Sequence, residues 1–186
     1  MLVSDVIKAA FEFMGRADVA EAVSDGSYTE NDEFSRAAEC ALHCYNAVED
    51  ELARGFFPLV KEEELTAEDG RIYYTSFAGT PVRILAVISD KGQIGYRICP
   101  KYIEVKDGTY TVRYTCCPAK KQMDSASDYS GYPVGERLMA YGVAAEYCLI
   151  CGNFEESECW ENRYKDEIER LRPHERPRDI RARRWV

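Results

Sequence analysis

The stretch TENDEFSRAAECALHCYNAVEDELARGFFPLVKEEELT, residues 29–66, changes its apolar period part-way along and so decides the class of fold. As far as Arg54, the residues Phe34, Ala37, Ala38, Ala41, Leu42, Tyr45, Val48 and Leu52 recur at three- and four-residue steps, the stripe of an amphipathic helix. Thr29 stands where an N-cap belongs, with Asp32 placed to close a capping box, and Gly55 ends the run. Past Phe56-Phe57-Pro58 the pattern turns strand-like, beginning with Leu59 to Thr66. A block of helix followed by a block of strands predicts an α+β fold.

The neighbouring segments extend this pattern. Residues 2–14 carry Leu2, Val3, Val6, Ile7, Ala10, Phe11, Phe13 and Met14 at helical spacing, with Ser4 or Asp5 near the start and Gly15 as the stop. Residues 16–28 are small and polar and predict a loop around Asp25-Gly26. After a turn at Asp69-Gly70, strands are expected over Arg71–Phe77, Val82–Ser89 and Tyr96–Ile98. Tyr102–Lys106 and Thr109–Thr115 flank Asp107-Gly108, which predicts a two-residue hairpin. The sum is a small antiparallel sheet of about four to six strands within 59–116. Residues 118–133 form the longest polar loop. Two helices close the body, 134–151 apolar almost all round and 155–171 amphipathic through Trp160, Tyr164, Ile168 and Leu171, with a break at Gly152-Asn153. Residues 1–171 are expected to form one α+β domain whose helical layer (2–14, 29–54, 134–151, 155–171) comes from both ends of the chain, followed by an arm over 172–186.

Composition narrows the function. A chain of 186 residues with 46% hydrophobic and 31% charged residues suits one globular domain with a real core. No run approaches the roughly 18 apolar residues of a membrane span. The start, MLVSDVIKAAFEFMG, has no basic region or cleavage site, so a cytoplasmic origin with reduced thiols is expected. The net charge is −9, but it is divided unevenly. In RLRPHERPRDIRARRWV, residues 170–186, seven arginines against Glu175 and Asp179 give +5, which leaves −14 for the first 169 residues. A basic arm on an acidic body marks an interaction tail, and Pro173 and Pro177 prevent a helix from running smoothly through it. The body is too acidic to be wrapped by nucleic acid.

No residue pattern in the chain points to a catalytic, cofactor or metal role. Of the eight cysteines, Cys148 and Cys151 have zinc-like spacing, with His43 or His174 as further donors, yet they fall inside a helix rather than on the tight turn a zinc knuckle uses. Free thiols are the expectation. His43 lies between Cys40 and Cys44 on a helix, where adjacent residues do not face each other. The acidic runs Glu49-Asp50-Glu51, Glu62-Glu63-Glu64 and Glu155 to Glu158 are expected to be solvated faces. No phosphate-binding glycine loop joins a strand to a helix. The arm itself has three readings: a phosphate-tracking strip with Trp185 stacking on a base, a solubilising tail, or a docking peptide whose arginines meet acidic partners while Trp185 fills a pocket.

The order of elements resembles the bacteriophage head–tail adaptors, the connector group that includes the tail tubular A proteins of short-tailed phages. The phrases that carry the resemblance are Leu52-Ala53-Arg54-Gly55-Phe56-Phe57 at the end of the long helix and the expected hairpin Tyr102 to Tyr114. Tyr132-Pro133 before an alanine- and tyrosine-rich helix, Trp160 with Tyr164, and Arg181-Ala182-Arg183-Arg184-Trp185 complete them. The cysteine count and the polar 118–132 loop depart from that group. The resemblance implies a virion neck protein forming a ring, usually of twelve copies, beneath the portal. Its helical layer builds the ring, and Arg176, Arg178, Arg181, Arg183, Arg184 and Trp185 dock on the portal protein. A downstream tail or neck protein binds on the other side, and genome DNA passes through the channel without sequence-specific contact. An acidic body repeated around a ring would let phosphates slide. Tyr73, Tyr96, Tyr110 and Tyr114 are candidate ring contacts, and the 118–132 loop a candidate for the downstream partner. The alternatives are a nucleic-acid-binding accessory protein that uses the basic arm, and an enzyme with a thiol site at Cys148 and Cys151.

Overall fold

A computed structural model describes residues 1–129 and 133–172. The first helix, α1 (Val3–Phe13), buries Val3, Val6, Ile7, Ala10 and Phe11. The Asp5 carboxylate accepts from the Leu2 N–H at 3.2 Å. The expected loop over 16–28 is largely a second helix, α2 (Ala17–Asp25), which buries Val19, Ala20, Ala22 and Val23 against α1. The small residues that suit a loop here allow a close helix–helix approach. Gly26 (φ 82°) closes α2 in the left-handed conformation.

The long helix, α3 (Asp32–Glu51), is capped by Asn31, whose Oδ1 accepts from the backbone N–H of Glu33 at 2.9 Å and of Phe34 at 3.4 Å. Thr29, the expected cap, falls in a 3₁₀ turn over Ser27–Glu30. Beyond Glu51 the helix widens into one π-type turn (Leu52–Phe56), in which the Phe57 N–H reaches back five residues to the Leu52 carbonyl at 2.7 Å. Gly55 therefore lies inside the wide turn.

Helices α4 (Glu136–Ile150) and α5 (Phe154–Leu171) complete the helical half. The first, α4, is its centre and packs against α1, α3 and α5. At Gly142 the three helices α3, α4 and α5 meet so closely that a Cβ would lie 2.7 Å from Val48 Cγ1 and 3.0 Å from Tyr164 Cε2. Beside this contact Phe13, Tyr141 and Trp160 pack ring to ring at 5.1–5.8 Å, joining α1, α4 and α5.

The strand-rich half forms two antiparallel sheets where one was expected. The larger contains β1 (Leu59–Ala67), β3 (Pro81–Ser89), β4 (Gly92–Gln93) and β7 (Gly108–Cys116) in the order β1-β7-β3-β4. The smaller contains β2 (Arg71–Tyr73), β5 (Arg97–Ile98) and β6 (Tyr102–Glu104) in the order β2-β6-β5. The strand expected over 71–77 ends early, in a 3₁₀ turn at Tyr74–Ser76. The hairpin at Asp107-Gly108 does not form, because β6 pairs with β2 and β5 while β7 runs between β1 and β3. Asp107 Oδ1 accepts from the Gly70 N–H at 2.6 Å and the Val105 N–H donates to the Gly70 carbonyl at 3.0 Å. These bonds make Asp107-Gly108 a corner at which the chain leaves one sheet for the other. A second core, with Ile72, Val87, Ile103, Val112 and Tyr114 at its centre, fills the space between the sheets. Leu59 packs against both cores and marks the seam.

Candidate functional site

The residues expected to dock on a portal, Arg176, Arg178, Arg181, Arg183, Arg184 and Trp185, lie outside the described residues, as does His174. What is described is their root. After α5 the guanidinium of Arg172 sits 4.9 Å over the ring of Phe56, in the wide turn.

The polar 118–132 segment is tied down over most of its length. Its backbone carbonyls at Met123 and Ser125 accept from the N–H groups of Ser4 (3.2 Å) and Val3 (3.0 Å), which satisfies donors at the start of α1. The Asn46 side chain accepts from the Lys121 N–H at 2.6 Å and donates to its carbonyl at 3.2 Å. Beneath the segment lies Glu49, fully buried, with Oε1 accepting from the Tyr45 hydroxyl (3.1 Å), the Ser127 hydroxyl (2.9 Å) and the Asp128 N–H (3.0 Å). Its Oε2 has no partner among the described residues. Lys121 and Asp128 close the same segment with an ion pair at 2.8 Å. This segment is a strap, held on the helical half over residues 121–129.

Glu49 also corrects the reading of its acidic run as a solvated face. It sits four residues after Tyr45 and next to Val48, on the buried stripe of α3, and that placement was the available signal. Asp50 instead pairs with Arg54 at 2.6 Å, and Glu51 accepts from the Tyr164 hydroxyl at 3.2 Å. In the β1 run, Glu62 pairs with Arg113 across the sheet at 3.1 Å. Glu63 points inward and accepts from the Tyr114 hydroxyl and, at 3.0 Å, from the Ala78 N–H. Of the four tyrosines, Tyr110 and Tyr114 are core residues, and Tyr96 is half-buried with its hydroxyl on the Ile84 carbonyl at 3.2 Å. Tyr73 alone of the four is exposed.

All eight cysteines are free thiols. Cys148 is buried and Cys151 exposed. Burial first, and then the Glu156 carboxylate, push the Cys148 thiol up to about 11, which keeps it protonated at neutral pH. Burial also raises the Cys40, Cys44 and Cys116 thiols. His43 is exposed and shares a recess with Asn46, Asp50 and Arg54. Among the described residues no three His, Cys, Asp or Glu side chains converge on a point that could hold a metal ion.

Two apolar surface features went unread in the sequence. A groove of about 720 Å³ lies between residues 74–84 and 98–100, with Phe77, Ile84 and Ile98 on its walls. At the junction of α4 and α5, Leu149, Ile150 and Phe154 stand 48%, 61% and 67% exposed. Compared with known proteins, the chain matches no family model and no curated sequence.

Proposed function

We propose that the chain is a virion structural protein, a bacteriophage head–tail adaptor that forms a ring below the portal and links the capsid vertex to the tail. The observation that carries this reading is the way both ends of the chain share one helical layer. Helix α4 packs against α1, α3 and α5, while the strands are an insertion between α3 and α4. This is the element order of the adaptor resemblance, in which the helical layer builds the ring and the basic terminal segment docks on the portal. The charge distribution supports it too: residues 136–171 hold nine acidic and four basic side chains, and the arginines follow directly. An acidic wall repels phosphates and leaves a genome free to slide, while a basic segment suits an acidic partner.

The reading gives the protein a role in assembly with no reaction of its own. It is tested by weighing the full chain, alone and mixed with the portal protein, with and without residues 172–186. A ring-sized complex that needs those residues supports the adaptor. If no complex forms and the full chain binds DNA with a steep salt dependence lost on truncation, the accessory nucleic-acid-binding protein takes its place.

A further inference from the structure

A ring closes through head-to-tail contacts, so each copy needs one patch to give and a different one to receive. The α4–α5 junction and the 74–100 groove have complementary characters. The junction is a firm projection: the Gly152 N–H donates to the Leu149 carbonyl at 3.1 Å and the Asn153 N–H to the Cys148 carbonyl at 2.9 Å. Leu149, Ile150 and Phe154 are therefore presented together on a fixed turn, and little conformational freedom remains to be lost on docking. Exposed Glu155, Glu156 and Glu158 follow at once. The groove is apolar within, through Phe77, Ile84 and Ile98, and its edge carries the opposite charge. Arg83 lines it, and Arg97 and Lys101 flank the Ile98–Pro100 wall, all three exposed. Only Arg97 of these has an acidic partner among the described residues, a loose contact to Glu104 at 3.9 Å.

We infer that the α4–α5 turn of one copy seats in the 74–100 groove of a second copy, Phe154 leading and Glu155 to Glu158 facing Arg83 and Lys101. The inference names a contact for the ring proposed above, one that joins the helical layer of each copy to the strand-rich half of the next, and rests on that reading for its partner. Matching an apolar projection to an apolar groove, with opposite charges at the margin, supplies both burial and orientation.

The chain carries its own reporters, because Cys99 lines the groove and Cys151 is exposed on the turn. Isotopically light and heavy full-length copies are mixed, alone at high concentration and on the portal protein, and treated with a short bis-maleimide. The expected result is a Cys99–Cys151 link joining a light to a heavy copy, reduced at least tenfold by Phe154→Asp and by Arg83→Glu. Phe154 and Arg83 are surface residues, and thermal melting of both variants verifies that they stay folded. A ring on the portal without that link overturns the contact and leaves the adaptor reading standing. The link in a closed dimer that never grows further upholds the contact and removes the ring. Protection of the Leu149–Phe154 turn by the portal or tail protein, with Cys99 unlinked, also overturns it.

Discussion

Replacing Glu49 by alanine should cost the protein about 3 kcal/mol and release the strap over residues 121–129. One carboxyl oxygen holds three donors, at 3.1 Å from Tyr45, 2.9 Å from Ser127 and 3.0 Å from Asp128. A buried donor left without a partner costs about 1–3 kcal/mol. The Tyr45 hydroxyl, in a fully buried side chain, bears that cost in full. Ser127 and Asp128 belong to a surface segment and recover part of theirs from water once it lifts. The removed side chain also leaves a cavity, whereas loss of the unpartnered Oε2 returns some stability, so the sum stays near 3 kcal/mol. Urea unfolding measures the total, and amide exchange locates it. Protection should fall most at 121–129 and at the Val3 and Ser4 amides bonded to that segment. Glu64→Ala, at an exposed site on β1, serves as the control and should stay within about 0.5 kcal/mol of the parent. A Glu49→Ala loss below about 1 kcal/mol, or unchanged exchange at 121–129, would refute the idea that this side chain anchors the strap.

Three further outcomes are expected. Gly142→Val places a branched side chain where even a Cβ meets Val48 at 2.7 Å, and it should destabilise the helical half by about 3 kcal/mol or more, read as a lower urea midpoint. Glu146 has its carboxyl raised above the ordinary value by burial first and then by Glu51 and Glu161. A folded-state pKa above the unfolded one favours the fold at low pH and is lost as pH climbs through it, so Glu146→Gln should gain stability at neutral pH and show no gain below the ordinary carboxylate range, in melts run across both. With the Cys148 thiol near 11, maleimide at neutral pH should modify exposed Cys151 and Cys159 well before Cys148, as peptide mass mapping would record.

The helices that bury a broad apolar face were legible from spacing alone: α1, α3, α4 and α5 fall within a few residues of expectation. The failures share a cause, which is that local pattern does not report the partner. Alanine and valine in α2 looked like loop filler because their worth lies in how closely α1 approaches. Asp107-Gly108 has the composition of a hairpin, but Asp107 is spent on the Gly70 amide, a residue 37 positions away. Tyr110 and Tyr114 alternate with exposed residues as half-buried strands do, and which face is covered depends on the second sheet. The groove and the projecting turn went unread because exposure of an apolar side chain is set by tertiary neighbours. The basic segment was legible at once, since charge is counted and needs no fold.

The π-type turn after α3 leaves Phe56 one residue later than an α-helix would. A single residue on a helix swings a side chain by about 100° around the axis. Phe56 is the ring on which Arg172 rests, so the odd residue in Leu52–Phe56 fixes the azimuth of the platform beneath that guanidinium. Deleting Gly55 would turn that ring away from Arg172 and swing Phe57, a residue of the helical core, with it. A one-residue change in the middle of the chain would then be felt at Arg172, where α5 ends.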